Sequence, residues 1–258
     1  MLRLRQICLV ARHLDPIVDE LKTVLGLEEC FRDPVVLKYG LENVLAPIGR
    51  NFLEIVAPIR SDTAAERYID RRRGDGGYII ILQCDDPKRR RSIYSELNIR
   101  IANSMDYGDF IGTQLHPKDT GGCMLEVDHQ EGNVIDDPWH PAGNQWENAV
   151  QLKPVKEITG ATLQAQHPHI LATHWGRILD RPVVASAHGH VIELDNAYLE
   201  FVSSRDDRGD GLIGIQLTVN DRAGILKAAK RLGLPTTTDH VTICGTHFYI
   251  SETNGFSS

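Results

Sequence analysis

One glutamate between two apolar residues follows a polar, glycine-rich turn near the middle of the chain. Residues 112–115 have the composition of a strand, residues 116–122 contain one proline and two adjacent glycines, and Leu125 and Val127 flank Glu126. Because successive side chains of a strand point to opposite faces, Glu126 lies on the face opposite these two neighbours. If that face is the inside of a curved sheet, Glu126 enters a cavity, where it could act as an acid or a base.

The same arrangement occurs in two further segments. Glu54 lies among the apolar residues 52–56, and Glu200 lies between Leu199 and Phe201. Each glutamate taken alone fits the solvent face of a half-buried strand, since Glu is seldom buried. Three occurrences favour a functional cavity, because a buried carboxylate is costly unless it is paired or used. A carboxylate with a raised pKa is suited to proton transfer at a carbon next to a carbonyl group.

Composition and charge limit the class of protein. The 258 residues, 41% hydrophobic and 24% charged, suffice for one large or two medium globular domains. The formal net charge of −7 provides no field for a nucleic-acid backbone, so nucleic acid is not an expected partner. Five cysteines without a CxxC pair favour buried thiols in a reducing compartment. No apolar run reaches the length of a membrane span or a signal-peptide core, so we expect a cytoplasmic protein with no membrane partner.

A repeated supersecondary unit organises the chain. The first copy is predicted as a strand at 4–10, a helix at 13–25 and strands at 35–39, 41–47 and 51–57, and the second runs from a strand at 78–84 to one at 123–127. Two shortened copies have strands at 159–166, 191–194 and 197–202, and at 212–219, 241–245 and 247–251, with helices at 169–179 and 221–232. This pattern predicts an α+β fold of tandem βαβββ units. It places one domain at residues 1–130, a turn-rich linker at 131–149 and a shorter, diverged domain at 150–258.

Several of these segments resemble a known superfamily. Residues 4–14, 52–58, 76–82 and 85–86, and above all the hairpin at 115–122, resemble the vicinal oxygen chelate superfamily of glyoxalases, extradiol dioxygenases and bleomycin-resistance proteins. The first module looks most similar to methylmalonyl-CoA epimerases. The resemblance covers residues 1–130 well and residues 150–258 weakly. It implies that paired units form a U-shaped cup, which in this superfamily holds a divalent metal.

The resemblance also implies a set of metal ligands. Carried onto this sequence, the ligand positions are Gln6, Glu54, Ile79 and Glu126. Three of them can donate an oxygen, but Ile79 stands where the superfamily usually has a histidine. Such a set suits Mg²⁺ or Mn²⁺ better than Zn²⁺, and the divalent metal is therefore an expectation that Ile79 weakens.

In the second module, the positions that match these ligands are Gly160, Glu200, Gly214 and Tyr249, of which only Glu200 is a ligand type. By alternation the inner face of this module also presents His247, so that Glu200 and His247 could form an acid and base pair while Tyr249 orients a ligand oxygen. A core histidine with satisfied hydrogen bonds is the alternative for His247. The expected substrate cup consists of Gln83, Gln164, Tyr198, Gln216 and Tyr249.

Other conspicuous residues have simpler interpretations. The basic runs at 71–73 and 88–91 could receive the phosphates of a CoA-like substrate, although charge runs are usually solvated surfaces. The histidines at 167, 169, 174, 188 and 190 match no standard metal spacing and are expected on loops and helix surfaces. Trp139, Trp146 and Trp175 are expected to pack at the linker and the module interface.

The sequence therefore supports three functional hypotheses. The first is an isomerase or lyase acting on a small carbonyl or carboxylate substrate, CoA-linked or free, through Glu54 and Glu126. The second is a non-catalytic protein that sequesters a small molecule, as bleomycin-resistance proteins do, and the missing imidazole ligands favour it. The third, an extradiol dioxygenase, requires two histidines and one glutamate around iron, which neither module has at matching positions. The sequence predicts a small-molecule substrate or ligand as the partner. It permits pairing of modules within one chain or across a homodimer.

Overall fold

The computed structural model describes residues 1–132 and 138–252, which form two mixed sheets of seven strands each. The first sheet has the order β2-β3-β1-β4-β7-β6-β5 and the second the order β13-β14-β12-β8-β11-β10-β9. The strands are β1 (Leu2–Val10), β2 (Leu41–Ile48), β3 (Asn51–Pro58), β4 (Gly76–Cys84), β5 (Ile101–Asp106), β6 (Phe110–Leu115), β7 (Met124–Gln130), β8 (Val155–Ala165), β9 (Val183–Ala185), β10 (Gly189–Glu193), β11 (Tyr198–Ser203), β12 (Gly211–Val219), β13 (His240–Ile243) and β14 (Thr246–Glu252).

Six α-helices connect these strands. They are α1 (Leu14–Leu25), α2 (Ala64–Arg72), α3 (Pro87–Glu96), α4 (Pro117–Thr120), α5 (Pro168–Leu179) and α6 (Arg222–Arg231), and short 3₁₀ helices occupy Pro34–Tyr39, His140–Ala142 and Trp146–Ala149. In α1 the residues Leu14, Ile17, Leu21 and Val24 are buried at helical spacing. The helix ends at Gly26, which has a φ of 65° and donates its N–H to the Lys22 carbonyl. Within the two described segments, no helix is long and apolar enough to cross a membrane.

The predicted α+β fold of tandem units is confirmed, but the third copy, which was predicted as shortened, has the additional strand β9. The second and third units have the complete βαβββ order, but the first and fourth have only three strands. The strand predicted at 35–39 is wrong: this segment is a 3₁₀ helix, because Pro34 opens it and the Asp33 carboxylate caps it by accepting from the Val35 N–H. The second module is shorter in sequence, yet its sheet has as many strands as the first.

Strand pairing gives both sheets the same register. Cys8 pairs with Glu54 between β1 and β3, and Thr162 pairs with Glu200 between β8 and β11. In the same way Ile81 pairs with Glu126 and Gln216 pairs with Tyr249. We call the sheet face with Gln6, Glu54, Ile79 and Glu126 the first cup, and the face with Thr162, Glu200, Gln216, His247 and Tyr249 the second cup. The two cups therefore offer equivalent backbone positions with different side chains.

Arginines of the first basic run join the two modules. The buried Arg72 places its Nη1 2.7 Å from the backbone carbonyl oxygens of residues 208–210. In return the Arg208 guanidinium donates to the carbonyl oxygens of residues 72, 74, 75 and 245. Arg73 forms an exposed ion pair with Asp207 at 2.5 Å. We call the reciprocal contacts of Arg72 and Arg208 the arginine clasp.

The second basic run makes comparable contacts. Arg89 forms an ion pair with Asp180, and Arg90 Nη1 donates to the Leu179 carbonyl at 2.6 Å. Both partners lie at the end of α5 in the second module. Four arginines of the two basic runs are thus used between modules, and the interpretation of these runs as phosphate-binding sites is not supported by their contacts.

The glycine-rich hairpin at 115–122 also serves the contact between modules. Gly121 and Gly122 have φ values of 69° and 67°, and a Cβ added to either would lie 3.2 Å from a side-chain carbon of Leu171 in α5. Beside them the Trp175 indole N–H donates to the Thr120 carbonyl at 3.0 Å. Glycine is needed because its φ is left-handed and because α5 packs closely against the turn. The expected role of Trp175 at the module interface is confirmed.

We expect Arg72→Ala to lower the free energy of unfolding by about 3 kcal/mol, because three carbonyl groups lose a charged donor in a buried place. The neighbouring Arg73→Ala is the matched control and should cost less than about 1 kcal/mol, since its ion pair is exposed. Urea unfolding followed by circular dichroism measures both values. Equal losses for the two variants would contradict the importance of the clasp.

Candidate functional site

The glutamates of the first cup are enclosed by amide donors. Glu54 is 8% exposed, and its two carboxylate oxygens accept from Gln6 Nε2 at 2.9 Å and Asn43 Nδ2 at 2.7 Å. Glu126 accepts from Gln114 Nε2 at 2.9 Å. Burial raises the pKa of Glu54, and the hydrogen bonds from its amide partners oppose this rise. Both glutamates point to the inner face, as alternation predicts.

A third carboxyl group, Asp128, lies next to Glu126 on the same strand face. It is fully buried, and its Oδ1 accepts from the Thr113 N–H at 3.2 Å. Burial raises the pKa of Glu126 to about 7, and burial together with the charge of Glu126 raises the pKa of Asp128 well above its ordinary value. Both shifts favour the protonated form, because two adjacent buried carboxylates cannot both ionise cheaply.

Residues of the predicted linker cover the first cup. The buried Trp139 donates its indole N–H to Gln6 Oε1 at 2.8 Å, and Trp146 packs edge-on against Phe52 with ring centroids 5.1 Å apart. The guanidinium carbon of the buried Arg5 lies 5.2 to 5.8 Å from the centroids of these three aromatic rings. The expectation that both tryptophans pack at the linker is confirmed, and they pack there onto the inner face of the first sheet.

The donor set of the first cup does not fit the divalent metal that the resemblance implies. The Gln6 carbonyl oxygen accepts from Trp139, both oxygens of Glu54 accept from amides, and Ile79 has no lone pair. Elsewhere in the described residues, no group of three or more His, Cys, Asp and Glu side chains is arranged to hold a metal ion.

The second cup contains a partly exposed network around Glu200. The Thr162 hydroxyl donates to Glu200 Oε2 at 3.3 Å and accepts from Gln216 Nε2 at 2.7 Å. Among the described residues, the second oxygen of Glu200, Oε1, has no hydrogen-bond partner. This carboxylate thus keeps an acceptor available to a ligand, unlike Glu54 in the first cup.

A histidine and a tyrosine lie at the other side of the second cup. His247 is half-buried, and its Nδ1 lies 2.9 Å from the Thr242 hydroxyl, while Nε2 has no partner within the described segments. Burial, and then the neighbouring His240, lower the pKa of His247 below its ordinary value of 6.5. The Tyr249 hydroxyl accepts from Arg205 Nη1 at 2.6 Å, and its ring centroid lies 6.0 Å from that of His247. At neutral pH His247 is therefore a neutral base beside a hydroxyl group that a guanidinium polarises.

Two glycines explain how aromatic rings enter this cup. A Cβ at Gly160 would lie 3.1 Å from the Tyr198 ring, and a Cβ at Gly214 would lie 2.6 Å from the Tyr249 ring. These glycines occupy the positions that in the first cup carry Gln6 and Ile79. The absence of side chains there leaves space for the two tyrosines.

Solved structures support the fold that the resemblance implies. A hypothetical protein from Staphylococcus aureus aligns with a TM-score of 0.66 and 12% identity, over 98% of this chain and 100% of that chain. A variant of 4-hydroxymandelate synthase from Streptomyces coelicolor aligns with a TM-score of 0.65 and 13% identity, over 91% and 76%. A methylmalonyl-CoA epimerase from Streptomyces coelicolor, with 20% identity, covers 50% of this chain and 97% of its own at a TM-score of 0.45. No protein-family model matches the sequence, and no curated protein matches it.

The chain has the vicinal oxygen chelate fold. Within this fold, the site residues predicted from the sequence lie in two different cups. Glu54 and Glu126 meet in the first cup, whereas Glu200, His247, Tyr198, Gln216 and Tyr249 line the second. Glu200 and His247 lie on β11 and β14, with β8 and β12 between them, and no hydrogen bond joins the two side chains.

Two glutamines expected in the substrate cup are buried instead and hold other groups. Gln83 accepts from Arg3 Nε at 3.1 Å. Gln164 donates to the Asp206 carboxylate and the Gly209 carbonyl, and accepts from the Arg205 N–H. These contacts give Gln164 a positioning role for the loop at 204–210.

Asp128, His240 and Arg205 contribute to the two cups and were not predicted from the sequence. Asp128 follows Glu126 by two positions, so strand alternation alone predicts that it shares the same face. His240 alternates in the same way with Thr242 on β13, where it pairs with Tyr249. Arg205 gave no sequence signal, because a loop position does not reveal which wall its side chain approaches.

We expect Glu126→Gln to flatten the pH dependence of stability. The folded protein keeps the Glu126 proton to higher pH than the unfolded chain, whose value is near 4.5, so the free energy of unfolding falls as pH rises from 4.5 to about 7. The variant should lose about 2 kcal/mol less than wild type between pH 5 and pH 8, measured by urea unfolding. The exposed Glu131→Gln is the control and should follow wild type, and the same behaviour in Glu126→Gln would refute the raised pKa.

Proposed function

We propose that the chain is an isomerase- or lyase-type enzyme whose second cup moves a proton at a carbon next to the carbonyl group of a small substrate. The observation that supports this most is the arrangement of His247 beside the Tyr249–Arg205 pair. His247 has one nitrogen held by Thr242 and the other available, and its lowered pKa keeps it neutral. A positioned neutral imidazole is an effective general base near neutral pH.

The proposed chemistry uses these groups in sequence. His247 Nε2 takes the proton from the carbon, and the electron pair moves to the carbonyl oxygen to form an enolate. The Tyr249 hydroxyl donates to that oxygen, and Arg205 stabilises the charge through its hydrogen bond to the tyrosine. Return of the proton to either face of the carbon completes an isomerisation, and loss of a group from the next carbon completes an elimination.

Glu200 is proposed as the second proton-transfer group. Its contact with Thr162 fixes one carboxylate oxygen, and the other remains available across the cup from His247. Two bases on opposite sides of a substrate allow a proton to be removed from one face and delivered to the other.

The first cup is proposed to have a structural role. Its glutamates are bound by amides under Trp139, which leaves them less accessible than the groups of the second cup. The proton transfer that the sequence suggested for Glu54 and Glu126 is therefore proposed for His247 and Glu200. A non-catalytic binding protein is the alternative, and it would use the same second cup without proton transfer.

Exchange of substrate protons with D₂O tests the proposal without knowledge of the product. Pyruvate, 2-oxobutyrate and 2-oxoglutarate are incubated with the protein, and loss of the proton signal next to the carbonyl is followed by NMR. We expect exchange with at least one acid and a loss of about 100-fold in its rate in His247→Gln. The exposed His188→Gln is the matched control. Binding without exchange would favour the sequestering protein, and exchange unaffected by His247→Gln would rule out this base.

The rate of exchange should rise with pH and then level off. His247 acts in its neutral form, and its pKa is lowered from the ordinary value of 6.5, so the midpoint of the rise should lie below pH 6.5. The measurement is the exchange rate between pH 4.5 and pH 8 at constant ionic strength. A rate that declines across this range would contradict a neutral histidine base.

A further inference from the structure

Arg205 is the cationic group of the second cup that lacks an acidic partner. Its Nη1 donates to the Tyr249 hydroxyl at 2.6 Å, and no carboxylate within the described segments forms an ion pair with it. The side chain is exposed to solvent beside the half-buried Tyr249. A guanidinium uses one of its donors in this contact and retains others for a planar anion.

The loop that carries Arg205 is held in place by hydrogen bonds from a residue of β8. Gln164, which is fully buried, accepts from the Arg205 N–H at 2.9 Å and donates to Asp206 Oδ1 at 2.5 Å and to the Gly209 carbonyl at 2.9 Å. The arginine clasp holds residues 208–210 of the same loop. The backbone at Arg205 is therefore ordered without a ligand, which lowers the entropic cost of binding one.

Three acidic groups surround this cup, and each has one carboxylate oxygen engaged. Asp206 Oδ1 accepts from Gln164 and from the Arg208 N–H, and Asp239 Oδ1 accepts from the Thr237 hydroxyl and contacts His240. Glu200 Oε2 accepts from Thr162, and in all three groups the other oxygen has no partner among the described residues. These carboxylates would repel a second negative charge on a ligand bound by Arg205.

We propose that the second cup selects small monocarboxylates, with the substrate carboxylate bound by Arg205 and the uncharged end directed toward Glu200. Arg205 is then a specificity-determining residue. This inference rests on the proposed function only for the location of the site, since anion binding can occur without proton transfer.

Three probes separate the charge requirement from the carbonyl requirement. Pyruvate carries one carboxylate, acetone has the same carbonyl without it, and 2-oxoglutarate adds a second carboxylate. Dissociation constants are measured for the full chain by ligand-observed NMR titration. We expect pyruvate to bind at least about tenfold more tightly than either of the other probes, as the loss of one charge-assisted contact predicts.

Variants assign the effect to Arg205. Arg205→Gln should weaken pyruvate binding about tenfold, Arg205→Lys should retain part of it, and the exposed Arg231→Gln should leave it unchanged. Circular dichroism confirms that the variants are folded. Loss of pyruvate affinity in Arg205→Gln with no change in Arg231→Gln supports the proposal.

Several outcomes would contradict the selection of monocarboxylates by Arg205. Absence of pyruvate binding, equal binding of acetone, equal or tighter binding of 2-oxoglutarate, or unchanged affinity in Arg205→Gln would each overturn it. Pyruvate binding that depends on Arg205 without proton exchange would sustain this inference and refute the proposed reaction. Exchange on pyruvate together with unchanged pyruvate affinity in Arg205→Gln would do the reverse.

Discussion

The contact between the two modules depends on Arg72, a charged side chain whose hydrogen-bond partners are backbone carbonyl groups. Arg72 is 4% exposed, and no carboxylate neutralises it in the described residues; carbonyl oxygens of residues 208–210 take its hydrogen bonds instead. A buried guanidinium in this setting is tolerated because its Nη1 donates to three backbone carbonyl oxygens. The clasp fixes the loop at 204–210, and this loop carries Arg205 to the second cup. The geometry of the candidate site therefore depends on a side chain from the other module.

The two cups show how one backbone arrangement supports different uses. At equivalent positions the first cup has Glu126 and the second has Tyr249, and the first has Gln6 where the second has Gly160. In the first cup, amides and an indole hold the carboxylate of Glu54 and the amide of Gln6, although Asp128 Oδ2 and Trp146 Nε1 are buried without a hydrogen-bond partner in the described residues. In the second cup the glycine opens space for an aromatic ring, and polar atoms remain available. The fold alone therefore does not determine where chemistry occurs, and the side chains must be compared position by position.

Local sequence patterns predicted the helices and strands and the sheet face that each side chain occupies, because strand alternation and helical spacing depend on neighbouring residues. Glu54, Glu126 and Glu200 were assigned to inner faces from alternation, and the helix predicted at 13–25 corresponds to α1. Whether the side chains on an inner face are available to a ligand depends on contacts with residues far away in the sequence. Arg72 meets residues about 136 positions away, and Trp139 reaches Gln6 across 133 positions, distances at which sequence periodicity carries no information. The hairpin at 115–122 illustrates the difference, since its glycines were correctly placed in a turn but serve packing against Leu171.

The contrast between the cups also has an energetic reason. Placing Glu54, Glu126 and Asp128 on one inner face is unfavourable unless the groups are neutralised or hydrogen-bonded. The first cup meets this condition in part, with amide donors for the glutamates and raised pKa values that favour the neutral forms of Glu126 and Asp128. A substrate that entered this cup would have to displace Trp139 and replace those contacts. The second cup imposes no such cost, because Glu200 and His247 each keep a polar atom without a protein partner in the described residues. Ligand binding there replaces water rather than internal hydrogen bonds, which favours the second cup as the place where a small molecule is recognised.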